Sequence, residues 1–179
     1  MTLRDVLLHV ANGCAAAHGR DFAGDPFAQY LSGQAPQALQ TLPGTARWLV
    51  KGSAGKGTWS SVPWLAFLDP LVTESTQHGQ YVVYLFAPRA RTVYLSLNQG
   101  TTEMYAAFGE AMGLRILANR AEKMRALAAT YGAPTDLPQI ALGERGRLPR
   151  GYEMGHAAGF CYDADALPSE AQLRDDLLR

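Results

Sequence analysis

"GQYVVYLFAPRARTVYLSLNQG", Gly79 to Gly100, is the stretch whose reading decides the fold. Two runs rich in Val, Tyr and Leu flank a Pro-Arg-Ala-Arg turn, the composition of two β-strands joined tightly. In the first run Tyr81 and Val83 point one way and Val82 and Tyr84 the other, because side chains alternate along a strand. Upstream, "ARWLVKGSA" (46–54) and "WSSVPWLAFLD" (59–69) read as further strands around a glycine loop. Three or four strands in sequence with short turns predict an antiparallel meander.

Helices are expected on both sides of that meander. From Leu3 to Ala17 the apolar residues Leu3, Val6, Leu7, Val10 and Cys14 fall at helical spacing, and Thr2 with Asp5 resembles a capping box. Between Gly19 and Gly44 no clear periodicity appears, and "DPFAQYLSGQAPQALQ" (25–40) reads as one short helical turn in a long connection. Met104, Phe108, Met112, Ile116, Leu117, Met124 and Leu127 predict a long helix over 101–131, or two helices kinked near Gly113, ended by Gly132 to Pro134. The remainder, from Gln139, reads as a short strand, an Arg-rich loop, another strand and a capped helix starting near Ser169. The expectation is a single α+β domain over 1–179, a mostly antiparallel curved sheet with helices packed on it. Within it, 47–100 supplies the core strands and a pocket loop, 101–131 the long helix, and 132–179 a strand and helix region.

Composition narrows the function. The 179 residues carry 16 Lys and Arg against 16 Asp and Glu, a formal charge of zero, which does not suit a protein that coats nucleic acid non-specifically. The distribution is uneven, however. From Pro26 to Leu68 there is no acidic residue, while Arg47, Lys51 and Lys56 lie inside that span, so a neutral protein is expected to present one positive face. No segment approaches the roughly 20 apolar residues of a membrane helix, and the first residues lack the basic start of a signal peptide, so no membrane partner and a cytoplasmic location are expected. Cys14 and Cys161 have no metal-ligand spacing and are expected to be buried free thiols.

Catalytic patterns fail one by one. "GSAGKGT" (52–58) suggests a phosphate-binding loop, but Lys56 is followed by Gly57 where Ser or Thr is needed, and Val50 stands where the leading glycine should be. A strand follows it, not a helix. There is no GxSxG elbow and no HExxH. Glu153 and His156 are one helical turn apart, but two ligands without a third read as a surface or capping pair. His9 and His18 sit on or beside the first helix and His78 in a turn, none with an evident partner. No catalytic residue, metal or cofactor is expected. What remains is an aromatic set on the strands: Trp48, Trp59, Trp64, Tyr81, Tyr84 and Tyr94. A flat slot between rings beside a positive loop suits a protein that extracts a base from a duplex and reads it.

At these residues the sequence resembles a known family, the N-terminal DNA-recognition domain of McrB-type modification-dependent (type IV) restriction systems, also found fused to HNH nucleases. "GKGTWSSVPWLAFLDP" (55–70), "HGQYVVYLF" (78–86), "VYLSLNQG" (93–100), "YEMGHAAGFCY" (152–162) and "LPSEAQLRDDLL" (167–178) carry the resemblance. It implies a phage-defence module that binds double-stranded DNA containing 5-methylcytosine or a related base, flips that base and holds it in an aromatic pocket. By position the resemblance assigns the pocket to Trp64, Tyr81 and Leu85, with Lys56 in a loop position where a tyrosine is known in the family. Arg47, Lys51, Ser60 and Ser61 are the expected DNA-backbone ligands, and Arg145, Arg147 and Arg150 form a second candidate patch. Cleavage would belong to a fused or associated nuclease domain. The competing expectation is an assembly domain whose aromatic strand face is a subunit contact.

Overall fold

The computed structural model describes residues 1–17 and 19–179; His18 lies outside the described residues. Five strands, β1 (Leu49–Gly55), β2 (Trp59–Leu68), β3 (Gln80–Ala87), β4 (Thr92–Gln99) and β5 (Ala158–Asp163), form one sheet in chain order. Every neighbouring pair is antiparallel. The α+β class is as expected.

The first helix, α1 (Leu3–Ala17), starts on the capping box that the sequence announces: the Asp5 amide donates to Thr2 Oγ1 at 3.1 Å and the Thr2 amide to Asp5 Oδ2 at 2.9 Å. The 25–40 stretch is more helical than its composition suggests. It forms α2 (Pro26–Gln29), a π-helical segment Tyr30–Gln34 and α3 (Ala35–Gln40), one continuous run with Asp25 as cap and Pro26 in the first turn. The π segment breaks the 3.6-residue period, and this hides the helix from a periodicity search. Two further helices, α4 (Thr101–Thr130) and α5 (Arg147–Gly155), lie between β4 and β5, and α6 (Glu170–Leu178) follows β5 on the cap of Ser169.

Four expectations change. The break in α4 is at Gly109, whose φ of 72° is outside the helical region, and not at Gly113. Gly113 is instead a contact point, since a Cβ there would meet the Tyr105 ring at 2.9 Å. Residues 139–142 are not a strand, and the expected Arg-rich loop is largely the helix α5. Of the cysteines, Cys14 is buried while Cys161 is exposed on β5, and they form no disulfide. Burial pushes the Cys14 thiol up to about 12.

Alternation along β3 places a core on each side of the sheet. Tyr84 and Phe86 join Leu65, Phe67 and Leu95 under α1, α3 and α6, while Tyr81, Val83 and Leu85 join Ala66 and Tyr94 on the opposite face. That second face is covered by Leu137, Ile140, Leu142 and Tyr152. Trp59 belongs to the first face: its indole donates to the Arg20 carbonyl at 2.7 Å and packs on Phe22 and Phe27. Trp64 belongs to the second.

A buried polar network fixes α5 to the second face. His156, the residue that ends α5, bonds Ser96 Oγ through Nδ1 at 2.8 Å and the Leu137 carbonyl through Nε2 at 2.8 Å. A carbonyl only accepts, so Nε2 carries the proton and Nδ1 accepts from Ser96. Glu153 accepts from the Leu142 amide at 2.8 Å, so the Glu153 and His156 pair is structural and buried at His156, not a surface pair. Burial first, and then the neighbouring Arg125 charge, lower the His156 pKa, against the opposing effect of the Leu137 carbonyl. The unfolded chain therefore takes up this proton at a higher pH than the folded one, and the imidazole's contribution to stability is complete above about pH 6.5 and lost below it. Thermal melts from pH 7.5 to 5.0 are expected to show falling Tm below pH 6.5, and the fall is expected to flatten in His156→Gln.

Candidate modified-base crevice

The second sheet face collects residues that lie far apart in sequence. Register places Trp64 of β2 directly across from Leu85 of β3, and Tyr81 lies on the same face of β3 four residues earlier. Together with Val83, Thr76 and Tyr152 they line one crevice. Three of the four pocket residues named from the resemblance are thus brought together. The fourth, Lys56, is not among the lining residues and stands exposed at the tip of the turn between β1 and β2. Gly55 and Gly57 on either side of it have φ of 136° and 73°, so the tip takes a backbone path that side-chain-bearing residues avoid.

Each wall of the crevice has a local cause. Between the pairs Gly55–Trp59 and Ser53–Trp64, β2 contains three more residues than β1, and this bulge accommodates Pro63, which has no N–H to give a ladder. Ser60 closes the bulge on itself, donating to the Val62 carbonyl at 2.9 Å and accepting from the Val62 amide at 3.2 Å. The Tyr81 hydroxyl donates to the carbonyls of Thr76 at 3.1 Å and Gln99 at 3.3 Å, which holds the Asp69 to Gly79 loop against the sheet. Burial pushes the Tyr81 phenol far above its ordinary range, so it is a neutral donor.

Tyr152 was missed by sequence reasoning, and a signal for it was present in "GYEMG" (151–155). Gly151 and Gly155 lie on one face of α5, four residues apart. A Cβ on Gly151 would meet the Thr101 side chain at 2.1 Å, and one on Gly155 would meet Asn98 Oδ1 at 2.6 Å. The helix can therefore approach α4 and β4 closely, and Asn98 Nδ2 donates to the Tyr152 carbonyl at 3.0 Å. This contact places the Tyr152 ring over the sheet. Burial pushes its phenol up to about 12. Gly155→Ala is expected to cost about 1–3 kcal/mol by overpacking and to displace Tyr152, measurable as a lower denaturation midpoint with changed Tyr152 ring resonances.

The crevice is narrow, with a volume of about 10 Å³, space for one water and not for a pyrimidine ring. It contains no carboxylate. The basic residues named from the sequence differ in place and in freedom. Lys51 shares the face of Ala66, its pairing partner on β2, and its ammonium donates to the Glu74 carbonyl at 2.7 Å. The Arg47 guanidinium lies 5.3 Å from the Trp48 ring centroid, an exposed cation supported on an indole. Ser61 is half-buried in the bulge. Arg145 is exposed, whereas Arg147 and Arg150 both pair with Glu110 at 3.2 Å, which leaves the second Arg patch partly neutralised. Among the described residues no cluster of His, Cys, Asp or Glu has the geometry to hold a metal ion, and no helix is long and apolar enough to cross a membrane.

No curated protein matches the sequence. The family model described as the MrcB-like N-terminal domain matches residues 9–179, nearly the whole chain, including all five strands and every residue lining the crevice. The chain belongs to the MrcB-like N-terminal domain family, a membership that points to a DNA-binding specificity module of McrB-type systems.

Proposed function

We propose that this domain reads double-stranded DNA for a modified cytosine, flipping the base into the crevice of Trp64, Tyr81, Leu85 and Tyr152 and leaving cleavage to a nuclease in another domain or subunit. The supporting observation is that Trp64, Tyr81 and Leu85 share one crevice on the sheet face opposite α1, with a third aromatic residue, Tyr152, delivered by a separate helix. Rings on both sides of a slot suit a flat base. Arg47 and Lys51 are suited to phosphate contact beside it, and Lys56 reaches from the neighbouring turn as a backbone ligand or as a cap over the base. The Ser60 hydroxyl, already donating within the bulge, contributes only acceptor capacity there, so the Ser60 and Ser61 segment contacts phosphate chiefly through backbone amides.

Entry of a base requires the crevice to open. The movable parts are the Tyr152 ring and the loop from Asp69 to Gly79, whose ties on this side are the Tyr81 hydroxyl on Thr76 and the Lys51 ammonium on Glu74. A phosphate that draws Lys51 away from the Glu74 carbonyl would release one of these ties, coupling backbone contact to opening. Stacking on aromatic rings returns about 1–3 kcal/mol per base, set against an unstacking cost of a few kcal/mol. Burying the methyl group adds about 0.8 kcal/mol, close to a fourfold preference over cytosine, unless an empty methyl site costs more.

Fluorescence titration against one short duplex carrying cytosine, 5-methylcytosine, 5-hydroxymethylcytosine or N4-methylcytosine, at two salt concentrations, tests the reading. Tighter, salt-sensitive binding to a modified duplex is expected; equal affinity for all four overturns it. Trp64→Ala is expected to weaken binding to the preferred duplex roughly 5- to 150-fold, the stacking range, and to abolish discrimination while the folded spectrum is retained. Equal weakening on modified and unmodified duplexes would remove Trp64 from the pocket.

A further inference from the structure

The loop between β2 and β3 presents an apolar tip. Leu71 is 96% exposed and Val72 beside it 56%, and among the described residues no other large apolar side chain is as exposed as Leu71. A single exposed leucine is ordinary on a protein surface. This one is held outward by a tight turn: the Leu71 amide donates to Asp69 Oδ1 at 3.0 Å, and the Val72 and Thr73 amides both donate to the Asp69 carbonyl at 2.8 Å. Behind the tip stands Thr73, only 4% exposed, whose hydroxyl accepts from the Ser75 amide at 3.1 Å and lies 2.9 and 3.1 Å from the carbonyls of Ser75 and His78. Gly79 makes room for it, since a Cβ there would meet the Thr73 side chain at 2.7 Å. The turn is tied within itself, so it keeps Leu71 in water and keeps its shape if the loop moves as a body.

The same loop supplies one wall of the crevice. Thr76 lines the crevice, with its carbonyl held by the Tyr81 hydroxyl, and the chain from Leu71 to Thr76 spans at most about 18 Å. The loop has two carboxylates. Asp69 is engaged on the Leu71 amide, and Glu74 has the Lys51 ammonium on its carbonyl. The tip between them is neutral and apolar, a surface suited to stacked bases and not to phosphates.

Flipping a base leaves a gap in the stack. Side chains of the leucine class are the wedges that proteins insert between base steps, where they replace stacking contacts. We propose that Leu71 is such a wedge, filling the gap left by the cytosine that enters the crevice while Val72 rests on the neighbouring base pair. This role rests on reading the crevice as a base pocket. It gives one loop two tasks, Thr76 on the pocket side and Leu71 on the stack side, so that opening of the crevice and insertion into the duplex are movements of the same body.

The test uses Leu71→Ala and Leu71→Met on a short duplex with 2-aminopurine, which brightens on unstacking, next to the modified cytosine that the domain binds most tightly. Leu71→Ala is expected to weaken binding about tenfold or more, in keeping with the loss of three buried carbon atoms, with an unchanged salt slope because no phosphate contact is removed. At saturation the 2-aminopurine is expected to brighten less than with the original protein, as the unfilled gap closes. Leu71→Met, which keeps a long apolar side chain, is expected to stay within about threefold of the original affinity. Thermal midpoints are expected to be the same for all three proteins, since Leu71 supports nothing inside the fold. Affinity of Leu71→Ala within twofold of the original, or an unchanged 2-aminopurine signal at saturation, overturns the wedge and leaves the pocket standing; equal affinity of the original protein for modified and unmodified duplexes overturns the pocket and the wedge together.

Discussion

The pairing of β2 with β3 is the constraint on which the rest of the molecule depends. Because side chains on a strand alternate, a one-residue slip between these strands would exchange their faces. Trp64 would then leave Leu85 and Tyr81 and enter the core beneath α1. Both faces of β3 are buried, so the register is fixed from two sides, by Tyr84 and Phe86 against the N-terminal helices and by Tyr81, Val83 and Leu85 against the covering loop.

The two faces then do different work. The face under α1, α3 and α6 is packed with interlocking aromatic and aliphatic side chains and gives the domain most of its core. The other face carries a thinner cover, held by hydrogen bonds: Ser96, Asn98 and Gln99 from β4 reach His156, the Tyr152 carbonyl and the Gly155 carbonyl. Directional bonds hold a helix at one height and angle, which dispersion contacts alone do less strictly. A thin cover fixed at defined points is an arrangement in which one ring and one loop can move while the sheet stays still. The location of the aromatic crevice on this face, and not in the thicker core, follows from that division.

The electrostatic picture is local in the same way. A chain with no net charge has its acid-free span running through the helix of 26–40, β1 and all of β2, and of the exposed cations in it Lys51 lies on the crevice face, Arg47 stands on Trp48, which packs into the opposite core, and Lys56 sits at the turn between β1 and β2. The arginines of α5 look equally basic in sequence, yet Glu110 meets two of them. Glu110 lies just after the Gly109 break in α4, and nothing in a linear reading connects it to α5.

By itself the sequence determined the meander, the capped first and last helices and the absence of known catalytic patterns, because strand alternation, capping and motif spacing are properties of neighbouring residues; Trp64, Tyr81 and Leu85 were singled out only through the resemblance to a family. It also held the motifs by which the family is recognised. Tertiary structure decided what depends on contacts across the chain: that Trp59 turns away from Trp64, that His156 is buried between Ser96 and the Leu137 carbonyl, and that Tyr152 completes the crevice through the close approach of Gly151 and Gly155. The helix of 26–40 and the break at Gly109 were misjudged for a related reason. A π-helical segment shifts the hydrophobic period, and whether a glycine breaks a helix is settled by what packs beside it, since Gly113 is held in the helix by Tyr105 while nothing lies within 4 Å of a Cβ built on Gly109.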